Sequence, residues 1–557
     1  MKKIFIKSLL ILAAAAASVG CIEETFPTGS TQTQAQVSKS PTAIASMLAS
    51  LPSAMTSTNA GGYYKGYGWH ADFGMPAMHV IFDMMLEDLA VLGDPNYNHF
   101  DPFMSCEAMD SRYIYCAYFW DCYYMWIKIC NDVISLIPEE GSSAESLDML
   151  AQAHAYRAAF YLDLARLYEP KENDYIDVTN ILGLTVPIIT ENTKESEATH
   201  NPRAPRETMY EFILSDLGKA VKYMDPAKSN YDRITIHAVN GLLARTYLEM
   251  GAAGDEGAYE LAASYARKVI DESGRTPLTK EQWEDPVNGF NNGATNSSWV
   301  WGLKTSSENL NNICTYISHM SCEAQWGYST LLKLGASKSF YEKIDDKDFR
   351  KHSWLDPRRE EYYAYQYAGT ADEIKDFLNG NDEKGLTAAV DYEAIKFRPM
   401  QGNATNNTVG NAAEHNMMRI EEMYFIEIEA VAKQGNLTEA ARLLNEFMKY
   451  RIADQSYNCS NFTVDEDTFI DEMLLQKRTE FWGEGVLLFD YKRLDRGITR
   501  GYEGTNHALI HAINCTGRSP QWNIVITRAE FQSNTAITDD LNNPDPSQFV
   551  PLWVPES

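Results

Sequence analysis

Carboxylates are the most abundant groups in this chain that could do chemistry, with 77 Asp and Glu against 48 Lys and Arg. Pairs stand at Glu421-Glu422 and Asp345-Asp346, and Glu427 and Glu429 lie two positions apart. A glycoside hydrolase needs two carboxylates across one sugar bond. Acidic pairs on amphipathic helices, however, ordinarily form a solvated face. Asp285, Asp345, Asp346 and Asp348 could contribute to a calcium site, but none of them has the D-x-D-x-D-G spacing. There is no G-x-S-x-G, no G-x-x-x-x-G-K-S/T, no H-E-x-x-H and no G-x-G-x-x-G. No catalytic residue, cofactor or metal is implied.

The other conspicuous chemistry is aromatic, at 12% of residues. Sugar rings present apolar C–H faces on which Trp and Tyr can lie flat, while amides and carboxylates take hydroxyl hydrogen bonds. Aromatics in helical phase are core; those in loops are available. That filter selects Tyr67, Trp69, Tyr97, Tyr316, Trp326 and Tyr328 as ligand-binding candidates, with Asn98, Asn312 and Gln325 as hydrogen-bonding neighbours. For any one of them, ordinary loop packing is the commoner fate. The expectation is that some of them cluster.

The elements that must hold these loops are helices. Met418 to Arg451 reads as two helices with apolar residues at three- and four-residue steps, joined at Gly435 and Asn436, an αα-hairpin of the tetratricopeptide type. Such a hairpin cannot bury its stripe alone, so partners are expected. They are found at Tyr113 to Ile137, Leu147 to Tyr168, Thr208 to Met224, Thr235 to Met250 and Tyr259 to Asp271, with Arg157 and Arg166 expected on the polar edge of the second. Thr42 to Leu51 and Met78 to Leu89 are further helices. Met55 to Trp69 and Asp94 to Phe103 are aromatic loops. From Gly274 to about Asn416 the helical pattern gives way to loops with strand-like pieces at Trp299 to Leu303 and Ala394 to Phe397. It resumes in the hairpin and in one long helix from Asp467 to Phe489. The fold class is mainly α: a helical-hairpin repeat scaffold, about 110–272 and 416–495, with a loop-rich, ligand-binding insertion, about 273–415.

The start of the chain is a targeting segment. Lys2, Lys3 and Lys7 precede an apolar run from Leu9 to Ala17, and Ser18-Val19-Gly20-Cys21 has the pattern of a lipoprotein processing site. Residues 1–20 are the expected signal peptide, Cys21 the lipidation site, and residues 21–40 a tether carrying acyl chains into a membrane surface. Residues 41–557 are then one domain. Losing three lysines takes the net charge from −29 to −32, which argues against a nucleic-acid partner. The cysteines after Cys21 include no C-x-x-C pair, and Cys116 and Cys130 fall in helical phase, as buried thiols do.

Several motifs together resemble the SusD/RagB glycan-binding lipoproteins of Bacteroidota-type bacteria. Trp120, Tyr124, Ile127 and Asn131 resemble the W-x3-Y-x2-I-x3-N helix. Ala153 to Tyr168 resembles A-x-x-x-R-A-x-x-Y-x-x-L-x-R-x-(F/Y), and is followed by Val186-Pro187-Ile188. Asp346, Asp348 and Arg350 resemble D-x-D-x-R. The hairpin matches through Arg419, Glu422, Glu429, Ala430, Gly435, Ala440, Leu444-Asn445 and Arg451. Lys477 to Gly485 with Asp490, Lys492 and Arg493 resembles E-R-x-x-E-F-x-x-E-G-x-R-x-x-D-L-x-R. Gln476 stands where Glu is usual, Leu487 or Leu488 near a usual Arg, and only Glu530 and Asn534 remain of the closing P-x-x-E-x-x-x-N, so starch in particular is not implied. The resemblance implies a SusD-like fold and a non-enzymatic surface lid that passes oligosaccharide or polysaccharide to a SusC-like, TonB-dependent outer-membrane transporter. Ile22-Glu23-Glu24 resembles the acidic tract of surface-exported lipoproteins, which implies the outer leaflet, facing the medium. Family motifs fix no ligand residue. RagB-like relatives leave a peptide-binding uptake subunit as the alternative, with a glycoside hydrolase behind it. Beside the family pattern, the hairpin glutamates read as scaffold and its repeat surface as a docking face for the transporter.

Overall fold

The computed structural model describes residues 40–93, 97–305, 307–311, 313–357 and 390–555. The signal segment, Cys21, the tether up to residue 39 and Asn312 lie outside them. Among the described residues no helix is long and apolar enough to cross a membrane.

The scaffold is a row of helices, each packed on the next. After α1 (Pro41–Thr56), α2 (Tyr63–Tyr67), α3 (Met75–Met84) and α4 (Asp101–Ser105), the row runs α5 (Ile114–Leu136), α6 (Ala144–Tyr168), α7 (Arg206–Tyr223), α8 (Ile236–Ala252), α9 (Ala258–Glu272), α10 (Ile420–Lys433), α11 (Leu437–Met448), α12 (Glu466–Phe481) and α13 (Leu487–Leu494). Side chains start these helices by taking up free amides: Ser143 accepts from Ser146, Thr235 from Ala238, Asn436 from Glu439 and Asp465 from Thr468. α9 packs directly on α10, so the row closes across the insertion between them. The fold is mainly α, and the hairpin from Met418 to Arg451 forms with its turn at Gly435-Asn436.

Some expectations give way to tertiary packing. The single helix from Asp467 to Phe489 is two, because the chain turns at Gly483 and Gly485, with φ of 81° and 70°. A Cβ on Gly483 would meet Phe397 at 2.4 Å, and one on Gly485 would meet His79 at 2.5 Å, so close approach as well as backbone angle demands glycine there. The helix expected to Leu89 stops at Met84, and Leu89–Leu92 becomes β1, paired antiparallel with β3 (Lys333–Ala336). Trp299–Leu303 is a strand, β2, paired with β4 (His415–Arg419), but Ala394 makes only a single bridge, to Trp354. Arg157 is buried rather than on a polar edge. Its guanidinium donates to both oxygens of Asp216, at 2.7 and 2.8 Å, and to Glu191 and Asn131.

The insertion is riveted to the scaffold by a buried ionic cluster. Arg350 and Lys396 come from the insertion, Arg419 from the end of β4, Glu421 and Arg451 from the hairpin, and Glu480 and Glu484 from α12 and the turn after it. Arg350, Arg419 and Arg451 all donate to Glu480, at 2.7–3.0 Å, and Arg350 also holds Asp348. Lys396 donates to Glu484 at 2.7 Å and to the carbonyls of Glu480 and Trp482. Arg350, Arg419, Arg451 and Lys396 balance Asp348, Glu421, Glu480 and Glu484, and so much charge can be buried because every member has a partner. The flanking guanidiniums hold Glu480 well below the usual carboxylate range against its burial, while burial brings Lys396 down to about 8.

Candidate functional site

The carboxylates of the hairpin are engaged in structure. Glu422 is paired with Arg245 at 2.6 Å, Glu427 with Arg267, Glu429 with Arg493 and Glu421 with Arg451. In the D-x-D-x-R segment Asp346 pairs with Lys351 and Asp348 with Arg350, which turns both away from the calcium role their sequence could suggest.

Aromatic side chains converge instead on one edge of the molecule. Residues 59–72 form a closed loop whose ends meet through a 2.8 Å hydrogen bond from the amide of Asn59 to the carbonyl of Asp72. The loop carries α2, and Gly62 and Gly68 flank it at φ of 81° and 64°. Tyr67, at its tip, is 72% exposed and its ring lies 5.7 Å from that of Tyr63. A second loop brings Tyr97, 66% exposed and in the left-handed region at φ 65°, a strained placement for a tyrosine. The imidazoles of His70 and His99 stack between the two loops, with centroids 4.7 Å apart. The third contribution comes from the insertion. Asn311 donates to the Tyr64 hydroxyl at 2.8 Å, and Tyr328 shares a 2.6 Å hydrogen bond with His70 Nδ1. His319 stacks under Tyr328 at 4.4 Å, so a column of rings runs from the surface at Tyr64 into the core.

Burial tunes this column toward neutrality. Desolvation lowers His70, brings His99 down to about 4 with help from the adjacent His70, and brings His319 down to about 3. The Tyr328 hydroxyl is raised by burial, with smaller contributions from Cys314, Tyr64 and Tyr97. The surface on offer is a mostly uncharged set of rings edged by amides and imidazoles.

The sequence candidates therefore divide. Tyr67 and Tyr97 are exposed on the platform. Asn98 is half-buried, its carbonyl oxygen committed to the Phe100 amide. Trp69 is buried beneath, packed edge-on against Tyr118 at 4.9 Å and donating its indole N–H to the His99 carbonyl, and Tyr328 is buried as the support for His70. These two hold the platform and offer no free face. Tyr316 and Trp326 need a stronger correction. Tyr316 donates its hydroxyl to the Gly483 carbonyl, and Trp326 donates its N–H to Asn411 at 2.8 Å inside the insertion. A ring closed in on both faces cannot stack on a ligand. Gln325 is exposed, its backbone amide bonded to Ala404. Tyr64, His70, His99 and Asn311 were missed by the filter, although the run from Gly61 to His70 already places two of them beside candidates.

Residues 75–248 match a family model described as "Starch-binding associating with outer membrane", and residues 274–543 match one described as "SusD family". The chain belongs to the SusD/RagB family. A SusD-like protein of Bacteroides ovatus is 23% identical over 397 residues, 67% of this chain and 65% of that protein, so the chain spans just under two thirds of that relative's length. Among solved structures, a SusD-like carbohydrate binding protein from Bacteroides vulgatus superposes with a TM-score of 0.65 at 21% identity, covering 89% of this chain and 97% of that one. Surface glycan-binding protein A from Bacteroides thetaiotaomicron, in complex with laminarihexaose, gives a TM-score of 0.62 at 15% identity over 90% and 99% of the two chains. These likenesses show a SusD fold, and the SusD family is associated with the outer membrane.

Proposed function

We propose that this SusD-family protein is a lipid-anchored glycan-binding lipoprotein that captures oligosaccharide at the cell surface and delivers it to a SusC-like, TonB-dependent outer-membrane transporter. The reading makes residues 41–557 one domain, anchored through Cys21 on the outward face of the outer membrane, with no catalytic step. The observation that carries it is the meeting of two neighbouring loops and the distant insertion through His70, His99 and Tyr328, with Tyr67 and Tyr97 exposed on the two loops so joined. Each tyrosine can cover one apolar sugar face, and the amides and imidazoles around them suit hydroxyl groups. The platform is open and shallow, so affinity per site is modest and a multi-residue glycan gains from both rings. The hairpin glutamates named above as acid–base candidates are committed to ion pairs, which favours binding over hydrolysis.

A glycan array probed with the purified mature protein tests the reading. Retention of oligosaccharides without release of reducing ends supports it. Retention of peptides alone turns it toward a peptide-uptake subunit, and new reducing ends turn it toward a hydrolase. Co-purification of a TonB-dependent barrel from the native outer membrane tests the partner.

A further inference from the structure

Side chains hold the loop that presents Tyr64 and Tyr67 at a few points: the Tyr63 hydroxyl donates to Asp121, the Tyr64 hydroxyl accepts from Asn311, and the Lys65 amide donates to Asn59. Gly61, Gly62, Gly66 and Gly68 give it wide backbone freedom, and between Gly62 and Gly68 the Tyr63 ring is buried and the Tyr64 ring half-buried against the core while Lys65 and Tyr67 are exposed. Three of its amides are gathered onto one further group. The carboxylate of Asp72, with no exposed surface, accepts from the amides of Gly61 and Tyr63 at 2.8 Å each and Tyr64 at 3.1 Å. From nine residues downstream of its first turn, it caps α2 as an N-cap side chain would. Burial raises the pKa of Asp72 and the amide hydrogen bonds oppose that rise. Among the described residues its carboxylate bonds to the loop backbone and forms no ion pair.

We propose that Asp72 is the positioning residue of the platform: by capping Gly61, Tyr63 and Tyr64 it fixes the angle at which Tyr64 and Tyr67 meet the sugar. This rests on the platform being the glycan site. It adds that affinity depends on a residue that never touches glycan. A free glycine-rich loop would have to be ordered by the ligand on binding; with Asp72 in place that ordering is complete beforehand.

The test is a double-mutant cycle with Asp72→Asn and Tyr67→Ala, read as dissociation constants for the oligosaccharide most strongly retained on the array. Asp72→Asn keeps the shape but sets an N–H₂ against the amides. The expected result is about a tenfold loss of affinity from Asp72→Asn alone and at most about a twofold loss when Tyr67 is already alanine. A merely structural role would cost the same factor on both backgrounds, and that result overturns the proposal. If Tyr67→Ala alone leaves affinity unchanged, the platform is not the site, which is a different failure. Amide hydrogen exchange of unliganded protein gives an arm that needs no glycan. Exchange at Gly61, Tyr63 and Tyr64 should rise at least about tenfold in Asp72→Asn while α5 and α6 keep their protection. Unchanged exchange at those three amides also overturns it.

Discussion

Tyr67 and Tyr316 come from stretches that look alike in sequence: loops rich in rings and small polar residues. The first is 72% exposed and the second 8%. The difference lies in what each loop is attached to. The loop from Asn59 to Asp72 closes on itself over a finished core, so its tip has nothing to bury against. The long insertion between α9 and α10 must be packed along its length, and it extends the core of the scaffold with Trp283, Phe290, Trp301, Phe349, Trp354 and Phe397, with Tyr316 and Trp326 drawn in. An aromatic residue in a loop is thus available only where the loop is short and its base is already packed. In a long insertion the same residue is core.

The comparison can be broken from the buried side first. Glu480→Ala strands three guanidiniums and should cost about 3–5 kcal/mol, read as a shift in denaturant midpoint; a loss under about 1 kcal/mol would mean the insertion is not riveted there. Trp326→Ala should also cost about 3–5 kcal/mol, with any loss of glycan binding following the unfolded fraction. Tyr67→Ala and Tyr97→Ala should do the reverse. Stability stays within about 0.5 kcal/mol, while glycan affinity falls by about 1–2 kcal/mol each in isothermal titration. Equal effects of Trp326→Ala and Tyr67→Ala on affinity in fully folded protein would erase the distinction.

The buried imidazoles add a pH dependence, of which His99 carries the smallest share. His79 and His415 share a 2.9 Å hydrogen bond in the core, and burial, first among the causes, brings His79 down to about 3 and His415 well below its ordinary value. His319 and His99 behave alike at about 3 and 4. The folded state binds these protons less readily than the unfolded chain, whose imidazoles titrate near about 6.5. Their contribution is whole above that pH and is lost as pH falls from about 6.5 toward 4 and 3. The urea midpoint should drop between pH 7.5 and 5 and drop less in His99→Phe. A flat profile would show that these rings are not held neutral.

The scaffold was legible because its signals are local. The 3.6-residue period from Ile420 to Phe447 and the Gly435-Asn436 turn need no distant partner, and the hairpin forms where they place it. Gly483 and Gly485 were also visible, but the length of the apolar run after Asp467 outweighed them. The reason they must be glycine, contact with Phe397 and His79, is hundreds of residues away in the second case. The platform was half legible. Composition marks the loops, but which ring faces outward is decided by contacts such as Tyr328 with His70, 258 positions apart. Asp72 gave no sign at all, since a lone aspartate after an aromatic run is indistinguishable from a surface residue until its three amides are seen.

The ionic cluster under the insertion also sets an order of events in time. Arg350 finds Glu480 130 residues later, Lys396 finds Glu484 88 later and Arg419 finds Glu480 61 later. A chain emerging from its N-terminus has only Asp348 and Glu421 to set against Arg350, Lys396, Arg419 and Arg451 until α12 brings Glu480 and Glu484, so the cluster is completed late. Contacts of such long separation slow folding. Until α12 emerges, the cluster lacks half of its acidic partners, which ties the seating of the insertion to the last long helix of the scaffold.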